Sequence, residues 1–381
     1  MGKIYTAMGL MSGTSLDGVD VSIIESDGNK EFTSIFDKYF QYDNKLIQKI
    51  LQIRGKILNP DDLKTYYEEI KVLEREITLF HNVVVNETIK ISKSSVDVIG
   101  FHGQTIFHDS EKKTTKQLGD GNLLSQLLKK KVVYEFRKND LENGGQGAPL
   151  APIFHNVLAN KIDKKFNVGF PINILNIGGI SNITMTVNEK DLWNKSKIYA
   201  YDIGPGNCLI DEWIRRNSKK KYDYDGSIAS SGKTDQQILN QALENFSIRP
   251  NYEKSLDVKD FDIFFAKGLS FEDGASTITD FTAKLIADGI NHINEQNKSS
   301  DNKWLVCGGG RKNKYLIEMI KNDFKEIYLE PIERYKIDGD FIESQAFAFL
   351  AVRSLEGMPI SFPSTTRCKE PLSGGIVVDN S

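Results

Sequence analysis

The stretch that decides the fold is Met8-Gly-Leu-Met-Ser-Gly-Thr-Ser-Leu-Asp-Gly-Val-Asp20, which is flanked by apolar runs at residues 4–8 and 19–24. The runs have the pattern of β-strands, so the stretch between them predicts the polar, glycine-loosened tip of a β-hairpin. Its glycines let the backbone come close to a ligand, and its hydroxyls stand beside exposed N–H groups. Such a concave set of donors suits a phosphate group. An ordinary hairpin with a hydrophilic tip is the alternative interpretation.

The composition is that of a globular protein with no obvious polyanionic partner. The chain has 381 residues, which favours two domains, and it is 39% apolar and 27% charged. Its net charge of -3, with acidic and basic residues interspersed, gives no reason to expect nucleic acid or a membrane surface as a partner. Three cysteines, Cys208, Cys307 and Cys368, lie far apart without disulfide or metal-binding spacing. Because a signal peptide and an apolar run of transmembrane length are both missing, we expect a cytoplasmic protein.

The first third of the chain predicts a meander of strands followed by helices. The predicted elements are strands at residues 4–8, 19–26 and 31–39 and a short helix at 43–54. A longer helix is expected after Pro60, because apolar residues recur at steps of three and four: Leu63, Tyr66, Ile70, Leu73, Ile77, Phe80 and Val84. A strand at 96–101 then runs into a turn at 102–105. The two histidines near this turn, His102 and His108, are expected to be structural. The glycine-rich stretch 143–149 predicts a domain junction.

A second unit repeats the outline of the first, because an apolar strand again leads into a glycine-rich tip and a further strand. The predicted elements are strand 171–177, tip 178–182, strands 183–187 and 197–201, helix 277–293, strand 304–307 and helix 343–355. Glycine tips thus follow three apolar strands, and ligands of sheet-based α/β folds collect at strand ends. No Walker lysine motif or dinucleotide fingerprint is present, so hairpin backbones would hold the phosphates of a bound nucleotide.

Several charged side chains have both a functional and a structural interpretation. Asp202, at the end of an apolar strand, is either a cap for the following turn or a general base. Asp17 or Asp20 either reaches a water of a nucleotide-bound Mg2+ or stabilises its own turn. Arg137 pairs with an anionic substrate group or is an ordinary surface arginine. Glu343 opens the last long helix, where an acidic residue favours the helix dipole whatever the function.

Six motifs together make the chain resemble the anhydro-N-acetylmuramic acid kinase family. The motifs are Gly9-Leu-Met-Ser-Gly-Thr-Ser-Leu-Asp-Gly-Val-Asp20, Gly100-Phe-His-Gly-Gln-Thr105, Gly144-Gly-Gln-Gly-Ala-Pro-Leu150, Leu175-Asn-Ile-Gly-Gly-Ile180, Asp202-Ile-Gly-Pro-Gly-Asn207 and Val306-Cys-Gly-Gly-Gly310. They occur in the family's order and cover nearly the whole chain. The chain departs from the usual motifs at Ile203, where the family has Thr, and at Tyr134-Glu-Phe-Arg137, where Gly-Asp-Phe-Arg is usual.

The resemblance implies an α/β fold of two similar ribonuclease H-like domains around a central ATP cleft, the architecture of sugar kinases, heat-shock ATPases and actin. The N-terminal lobe is expected at residues 1–136 plus about 356–381. The C-terminal lobe is expected at residues 137–355, including a crossing helix at 343–355. The implied partners are ATP and an anhydro amino sugar, with no nucleic acid or membrane, and a homodimer is compatible with the related kinases.

The resemblance also implies a reaction, in which ATP and water convert 1,6-anhydro-N-acetylmuramic acid into N-acetylmuramic acid 6-phosphate and ADP during peptidoglycan recycling. Asp202 is the implied base, and Asp17 or Asp20 binds Mg2+ through water. The implied ATP and phosphate residues are Gly13, Thr14, Ser15, Leu16, Asp17, Gly18, Val19, Asp20, Gly178, Gly179, Gly308, Gly309 and Gly310. The implied substrate residues are Ser12, Arg137, Gly206, Asn207 and Glu343, of which Arg137 is assigned to the lactyl carboxylate.

Two alternatives stay open at this point. One is a kinase for another sugar, marked by the departures at Ile203 and Tyr134. The other is a non-catalytic, ATP-driven protein like actin or the heat-shock ATPases. The segment around Asp202 argues against the second alternative, because binding of ATP alone does not need it.

Overall fold

A computed structural model describes residues 2–13, 15–188, 198–246, 255–297 and 302–380. Thr14, one of the expected phosphate residues, lies outside the described residues, as does the first residue of the strand predicted at 197–201. The chain forms two units: unit 1 comprises Met1–Leu158 and Asp340–Ser381, and unit 2 comprises Ala159–Gly339. Among the helices of the described residues, none combines the length and the apolar character needed to cross a bilayer.

Strands and helices alternate along most of the chain. The strands are β1 (Tyr5–Ser12), β2 (Gly18–Ser26), β3 (Phe32–Gln41), β4 (Val98–Asp109), β5 (Thr114–Leu118), β6 (Lys131–Tyr134), β7 (Ile172–Ile177), β8 (Ile180–Met185), β9 (Tyr199–Pro205), β10 (Lys303–Cys307), β11 (Tyr328–Pro331) and β12 (Ile376–Val378). The helices are α1 (Asn44–Lys56), α2 (Asp62–Thr65), α3 (Tyr67–Ser92), α4 (Gly121–Leu128), α5 (Lys138–Glu142), α6 (Pro152–Phe166), α7 (Asn207–Asn217), α8 (Gln236–Phe246), α9 (Phe271–Asn297), α10 (Lys314–Asn322), α11 (Ile342–Leu355) and α12 (Pro363–Thr366).

The two sheets share the order of their central strands. In the described part of unit 1, seven strands are arranged as β12-β6-β4-β1-β2-β3, with β5 paired to β4. The described strands of unit 2 follow the order β11-β10-β7-β8-β9. Each sheet contains an antiparallel meander, β1-β2-β3 or β7-β8-β9. The first strand of the meander pairs in parallel with β4 or β10, and that strand pairs in parallel with β6 or β11. The expected α/β class with two similar domains is therefore confirmed by the topology.

Helix α3 packs on the sheet of unit 1 through the apolar stripe seen in the sequence. The buried members of the stripe are Ile70, Leu73, Ile77 and Val84. They form one core with residues of β1, β2 and β4. Leu63 and Tyr66 precede this helix, because the chain first forms the short helix α2 and α3 begins only at Tyr67. The single long helix predicted from residue 63 onward is therefore divided near its start.

Strand β4 continues through the motif that the sequence assigned to a turn. It runs past His102 and Gln104 and ends only at Asp109. Its first half pairs in parallel with β1, and its second half pairs antiparallel with β5. The neighbouring strands therefore satisfy backbone groups that a turn would have left to solvent. Gly103, with a φ of 75°, allows the irregularity between the two halves.

Helix α11 lies directly against β1 and β4 at two glycines. A Cβ atom at Gly9 would overlap the carbonyl oxygen of Ser344, and one at Gly100 would overlap that of Phe347. Gly9 and Gly100 are neighbours in the parallel register of the two strands. This contact places α11 in unit 1, whereas the sequence-based division gave the helix to the C-terminal lobe.

The glycine-rich stretch that was expected to be a domain junction is fastened inside unit 1. The Asp140 carboxylate accepts the N–H of Gly147 at 2.7 Å and the hydroxyl of Thr366 at 2.6 Å. The two units divide after Leu158, inside α6, and not at residue 136 as the sequence suggested. Contacts between residues far apart in the chain, which leave no local pattern, decide this boundary.

Substitution of Gly9 tests the contact between α11 and the sheet. We expect Gly9→Ala to lower the free energy of unfolding by about 3 kcal/mol, because the new Cβ must displace the helix backbone. Gly55→Ala is the matched control, since a Cβ at this exposed position of α1 meets no atom within 4 Å. The control should stabilise the protein by about 0.5–1 kcal/mol. Urea unfolding measures both changes, and equal stabilities of the two variants would contradict the close packing.

Three histidines of unit 1 are buried as neutral rings. Burial lowers the pKa of His81 to about 4 and that of His155 to about 3. Burial and the nearby charge of Arg137 hold the pKa of His102 well below its usual value. In the unfolded chain each ring titrates near pH 6.5. Below that pH the unfolded chain binds protons that the folded chain does not, so stability falls as the pH decreases.

A decrease from pH 7 to pH 5 should therefore lower the free energy of unfolding by about 2 kcal/mol for each of His81 and His155, and His102 should add to this loss. Urea unfolding at the two pH values measures the loss. The variant His81→Phe removes one titrating group and keeps an aromatic ring beside Phe101, whose centroid lies 4.7 Å from that of His81. The free energy of unfolding of His81→Phe should therefore fall by about 2 kcal/mol less between the two pH values than that of the unaltered protein. The same stability at both pH values would show that these rings are not buried in the neutral form.

Candidate functional site

Two tyrosines, Tyr39 and Tyr42, anchor the β1–β2 hairpin tip of unit 1, whose described residues are Gly13 and 15–17. The backbone N–H of Tyr42 donates to the Asp17 carbonyl at 2.8 Å. The hydroxyl of Tyr42 lies 2.8 Å from the Ser12 hydroxyl. The hydroxyl of Tyr39 donates to the same Asp17 carbonyl at 2.8 Å. The Tyr39 ring also fills the space that a Cβ at Gly18 would need. Both ends of the tip are thus fixed, with the expected substrate residue Ser12 bonded at one of them.

Strand β4 and the core of unit 1 fix Gly13 and Leu16 within the tip. The side-chain amide of Gln104, which lies opposite Ser12 in the register, donates to the Gly13 carbonyl at 3.0 Å. Leu16 is only 2% exposed and has a φ of 59°. Core packing therefore holds a backbone conformation that side chains other than glycine seldom adopt. Leu16 and Val19 turn their side chains into the core, so only their backbones are available to a ligand.

Two partly buried carboxylates, Asp17 and Asp20, flank the end of the tip. Asp17 accepts the hydroxyl of the exposed Ser15 at 2.7 Å, and Asp20 lies on β2 opposite Met11. The described residues contain no group of three or more His, Cys, Asp or Glu side chains that could hold a metal ion. Mg2+ in nucleotide sites needs only one or two carboxylates beside phosphate and water. The two aspartates therefore fit an ion that arrives with a nucleotide.

Arg137 is bonded within unit 1 and is not a freely solvated arginine. Its Nε and Nη2 atoms lie 3.2 and 3.0 Å from Nε2 of His102, and Nη1 donates to the Gly147 carbonyl at 2.8 Å. Burial raises the pKa of the Glu343 carboxyl above its usual value, although the charge of Arg137 opposes this shift. The structure thus adds His102 as a hydrogen-bond partner of Arg137, and the charge of Arg137 acts on the Glu343 carboxyl.

Backbone contacts hold the β7–β8 tip of unit 2, Gly178-Gly179. The N–H of Gly206 donates to the Gly179 carbonyl, and the N–H of Asn207 donates to the Gly178 carbonyl, both at 2.8 Å. A Cβ at Gly206 would overlap the Gly178 oxygen, so the contact requires glycine at this position. The tip and the start of α7 therefore form one continuous backbone structure.

The third glycine segment meets the same tip. A Cβ at Gly308 would overlap the side-chain oxygen of Asn176, and one at Gly310 would overlap the side chain of Ile177. The segment after β10 therefore packs against the end of β7. The structure brings together, within unit 2, the expected residues Gly178, Gly179, Gly206, Asn207, Gly308, Gly309 and Gly310.

Arg311 fixes this glycine segment, a role that the sequence did not assign. Its nearly buried guanidinium donates to the Gly308 carbonyl at 2.8 Å and to Glu333 at 2.6 Å. Burial raises the pKa of the Glu333 carboxyl, but hydrogen bonds from Arg311 and Gly339 outweigh it and hold the pKa below its usual value. The available signal was the basic residue directly after three glycines.

Asp202 is a carboxylate on β9 that is only 7% exposed. Its Oδ2 atom accepts the backbone N–H of Leu256 at 2.9 Å and the hydroxyl of Ser255 at 3.2 Å. These donors come from a segment distant in the chain, whereas the structural alternative was a cap for the turn that follows Asp202. The two hydrogen bonds hold this carboxylate in a fixed orientation, and an oriented carboxylate can accept a proton as a general base.

Among solved structures, the chain is similar to component A of (R)-2-hydroxyglutaryl-CoA dehydratase from Acidaminococcus fermentans. The TM-score is 0.43 at 10% identity, with 93% of this chain and 100% of the other covered. The ROK hexokinase from Thermus thermophilus gives a TM-score of 0.33 at 10% identity, with coverage of 91% and 99%. Both scores are below 0.5, so the fold class rests on the strand order and not on these similarities.

Sequence comparison gives a much closer match. A family model described as anhydro-N-acetylmuramic acid kinase matches residues 5–379. A relative of that name from Pelagibacter ubique (strain HTCC1062) is 53% identical over 386 residues, with 100% of both chains covered. Another of the same name from Agrobacterium fabrum is 36% identical over 391 residues, covering 99% of this chain and 100% of the relative. The chain therefore belongs to the anhydro-N-acetylmuramic acid kinase family.

Proposed function

We propose that this kinase opens the anhydro ring of 1,6-anhydro-N-acetylmuramic acid with water and phosphorylates O6, giving N-acetylmuramic acid 6-phosphate and ADP. Membership of the family makes the protein a kinase that acts on a sugar. Our proposal goes beyond family membership in two statements: the kinase opens the ring, and it acts in the cytoplasmic recycling of peptidoglycan. The observation that carries the proposal is Asp202, a nearly buried carboxylate that the Leu256 N–H and the Ser255 hydroxyl hold in a fixed orientation.

The substrate itself explains why a kinase of this kind needs a base. In the anhydro sugar O6 is bonded to C1, so there is no free 6-hydroxyl to receive phosphate. Water attacks C1, the C1–O6 bond breaks, and its electron pair stays on O6. O6 then bonds the γ-phosphorus as the bond to the β-phosphate oxygen of ATP breaks and ADP leaves. The proton lost by the attacking water goes to the base.

Asp202 has the properties required of that base. A carboxylate is ionised at neutral pH and accepts a proton from a water held within hydrogen-bond distance. The Leu256 N–H and the Ser255 hydroxyl fix the orientation of one carboxylate oxygen, at 2.9 and 3.2 Å. Fixed orientation matters, because proximity and alignment supply much of the rate in such steps.

Each unit supplies a glycine tip suited to phosphate groups. In unit 1 the tip includes Gly13 and Ser15 and ends near Asp17 and Asp20, the carboxylates that would hold Mg2+ through water. When bound, this ion offsets the charge that builds up on the transferred phosphoryl group. In unit 2 the candidates are Gly178, Gly179, Gly308, Gly309 and Gly310. All of them lie in backbone that is already fixed by hydrogen bonds or close packing.

For binding of the sugar we propose Ser12, Arg137 and Glu343 in unit 1 and, separately, Gly206 and Asn207 in unit 2. Arg137 presents a planar fork of N–H donors, which matches the two oxygens of the lactyl carboxylate. Glu343 lies within the electrostatic influence of Arg137. These contacts would distinguish a muramic acid derivative from a sugar without the lactyl group.

The first test is release of ADP in the presence of the anhydro sugar. We expect 1,6-anhydro-N-acetylmuramic acid to stimulate ADP release strongly over the basal rate. The mass of the product should show that one water molecule has been added along with the phosphate. A product without the added water would indicate phosphorylation of an intact ring, and no stimulation would indicate another sugar or a non-catalytic ATPase.

The second test is the variant Asp202→Asn, which keeps an oxygen for the Leu256 N–H but cannot take up the proton. We expect the turnover rate to fall by about 1,000-fold or more, with ATP affinity within about three-fold of the unaltered protein. Asp61→Asn, the same change at a side chain that is 87% exposed, is the control and should leave both quantities unchanged. Near-normal turnover of Asp202→Asn would exclude Asp202 as the base.

A further inference from the structure

The hydrogen bonds of His102 determine which of its ring nitrogens carries hydrogen. The ring is 4% exposed and packs on Phe347, with centroids 4.5 Å apart. Its Nδ1 atom lies 2.8 Å from the carbonyl oxygen of Gly103, which can only accept. Nδ1 therefore carries the hydrogen, and Nε2 of the neutral ring is left as an acceptor. Two N–H groups of Arg137 point to this nitrogen, at 3.0 and 3.2 Å.

The opposite side of the guanidinium is held as well. Nη1 of Arg137 donates to the carbonyl of Gly147, whose own N–H is bonded to the buried Asp140. Both acceptors, the imidazole nitrogen of His102 and the Gly147 carbonyl, are neutral. They fix the plane of the guanidinium and contribute no negative charge of their own, which suits the binding of an anion in a defined orientation.

We infer that His102 is a positioning residue for substrate binding: it fixes Arg137 in the orientation that meets the lactyl carboxylate of the sugar. The inference rests on the proposed function, since it assigns a partner to the Arg137 contact. In this assignment His102 acts on the substrate only through Arg137, so its effect is on the affinity for the carboxylate. An arginine without this support would lose more side-chain freedom on binding, and its affinity for the carboxylate would be lower.

Two ligands separate this role from a structural one. Calorimetry would compare binding of 1,6-anhydro-N-acetylmuramic acid with binding of its lactyl methyl ester, which is nearly the same size but uncharged. In the unaltered protein the free acid should bind about 10-fold or more tightly than the ester. In His102→Phe the aromatic packing stays but the acceptor is lost, so the ratio should fall toward one. ATP affinity should stay within about three-fold.

Three further variants complete the test. His102→Gln places an amide oxygen at about the depth of Nε2 and should restore most of the preference for the free acid. His102→Asn is too short to reach Arg137, so it should lose the preference, and it carries the test if the phenylalanine variant does not fold. His81→Phe makes the same change at a buried histidine that packs on Phe101, and the preference should be unchanged.

The outcomes distinguish this inference from the function on which it rests. If the unaltered protein neither binds nor phosphorylates the free acid, the proposed function fails. If the unaltered protein does both, and His102→Phe and His102→Asn keep its preference for the free acid over the ester, only the role of His102 is overturned. Equal weakening of both ligands in the two variants would also overturn it, because a purely structural histidine has that effect.

Discussion

Unit 1 depends on one close contact, the approach of the α11 backbone to β1 and β4 at Gly9 and Gly100. No side chain fits between helix and sheet there, so backbone oxygens of the helix occupy the space. The hydroxyl of Ser344 adds a 2.7 Å hydrogen bond to Ser22 on β2. The first turn of the helix therefore holds Glu343 in a fixed relation to the strands that carry the unit 1 tip. The same packing that stabilises the unit also determines where this carboxyl lies.

Two arginines show how the neighbours of a side chain determine its use. Arg311 in unit 2 is bonded to the carboxylate of Glu333, so its charge is compensated and it serves to hold the glycine segment after β10. Arg137 in unit 1 is bonded to an imidazole nitrogen and a backbone carbonyl, which orient it without themselves neutralising its charge. The difference follows from chemistry alone, because a neutral acceptor cannot neutralise a guanidinium.

Much of the fold could be predicted, because it follows from patterns local to the chain. The hairpin tips, the α/β repeat and the stripe of α3 all arise from spacing within a few residues. The failures came where distant residues decide the outcome. Strand β4 extends past His102 to Asp109, where β5 pairs with it, and the stretch expected to be a domain junction stays in unit 1, where Thr366 is bonded to Asp140. The same holds for the candidate site, since the motifs indicated the glycines but not Tyr42 or Arg311, which hold them through tertiary contacts.

The two hairpin tips occupy equivalent places in the shared strand order but are anchored by different parts of the chain. In unit 1 the side chains of Tyr39, Tyr42 and Gln104 hold the tip together with the backbone N–H of Tyr42, whereas in unit 2 tip carbonyl groups bonded to the N–H groups of residues 206–208 hold it. Inherited variation is therefore constrained differently in the two halves. Substitutions of side chains around the unit 2 tip leave its anchor intact as long as the glycines are kept. The unit 1 tip, in contrast, is affected by substitutions at positions well outside its own motif.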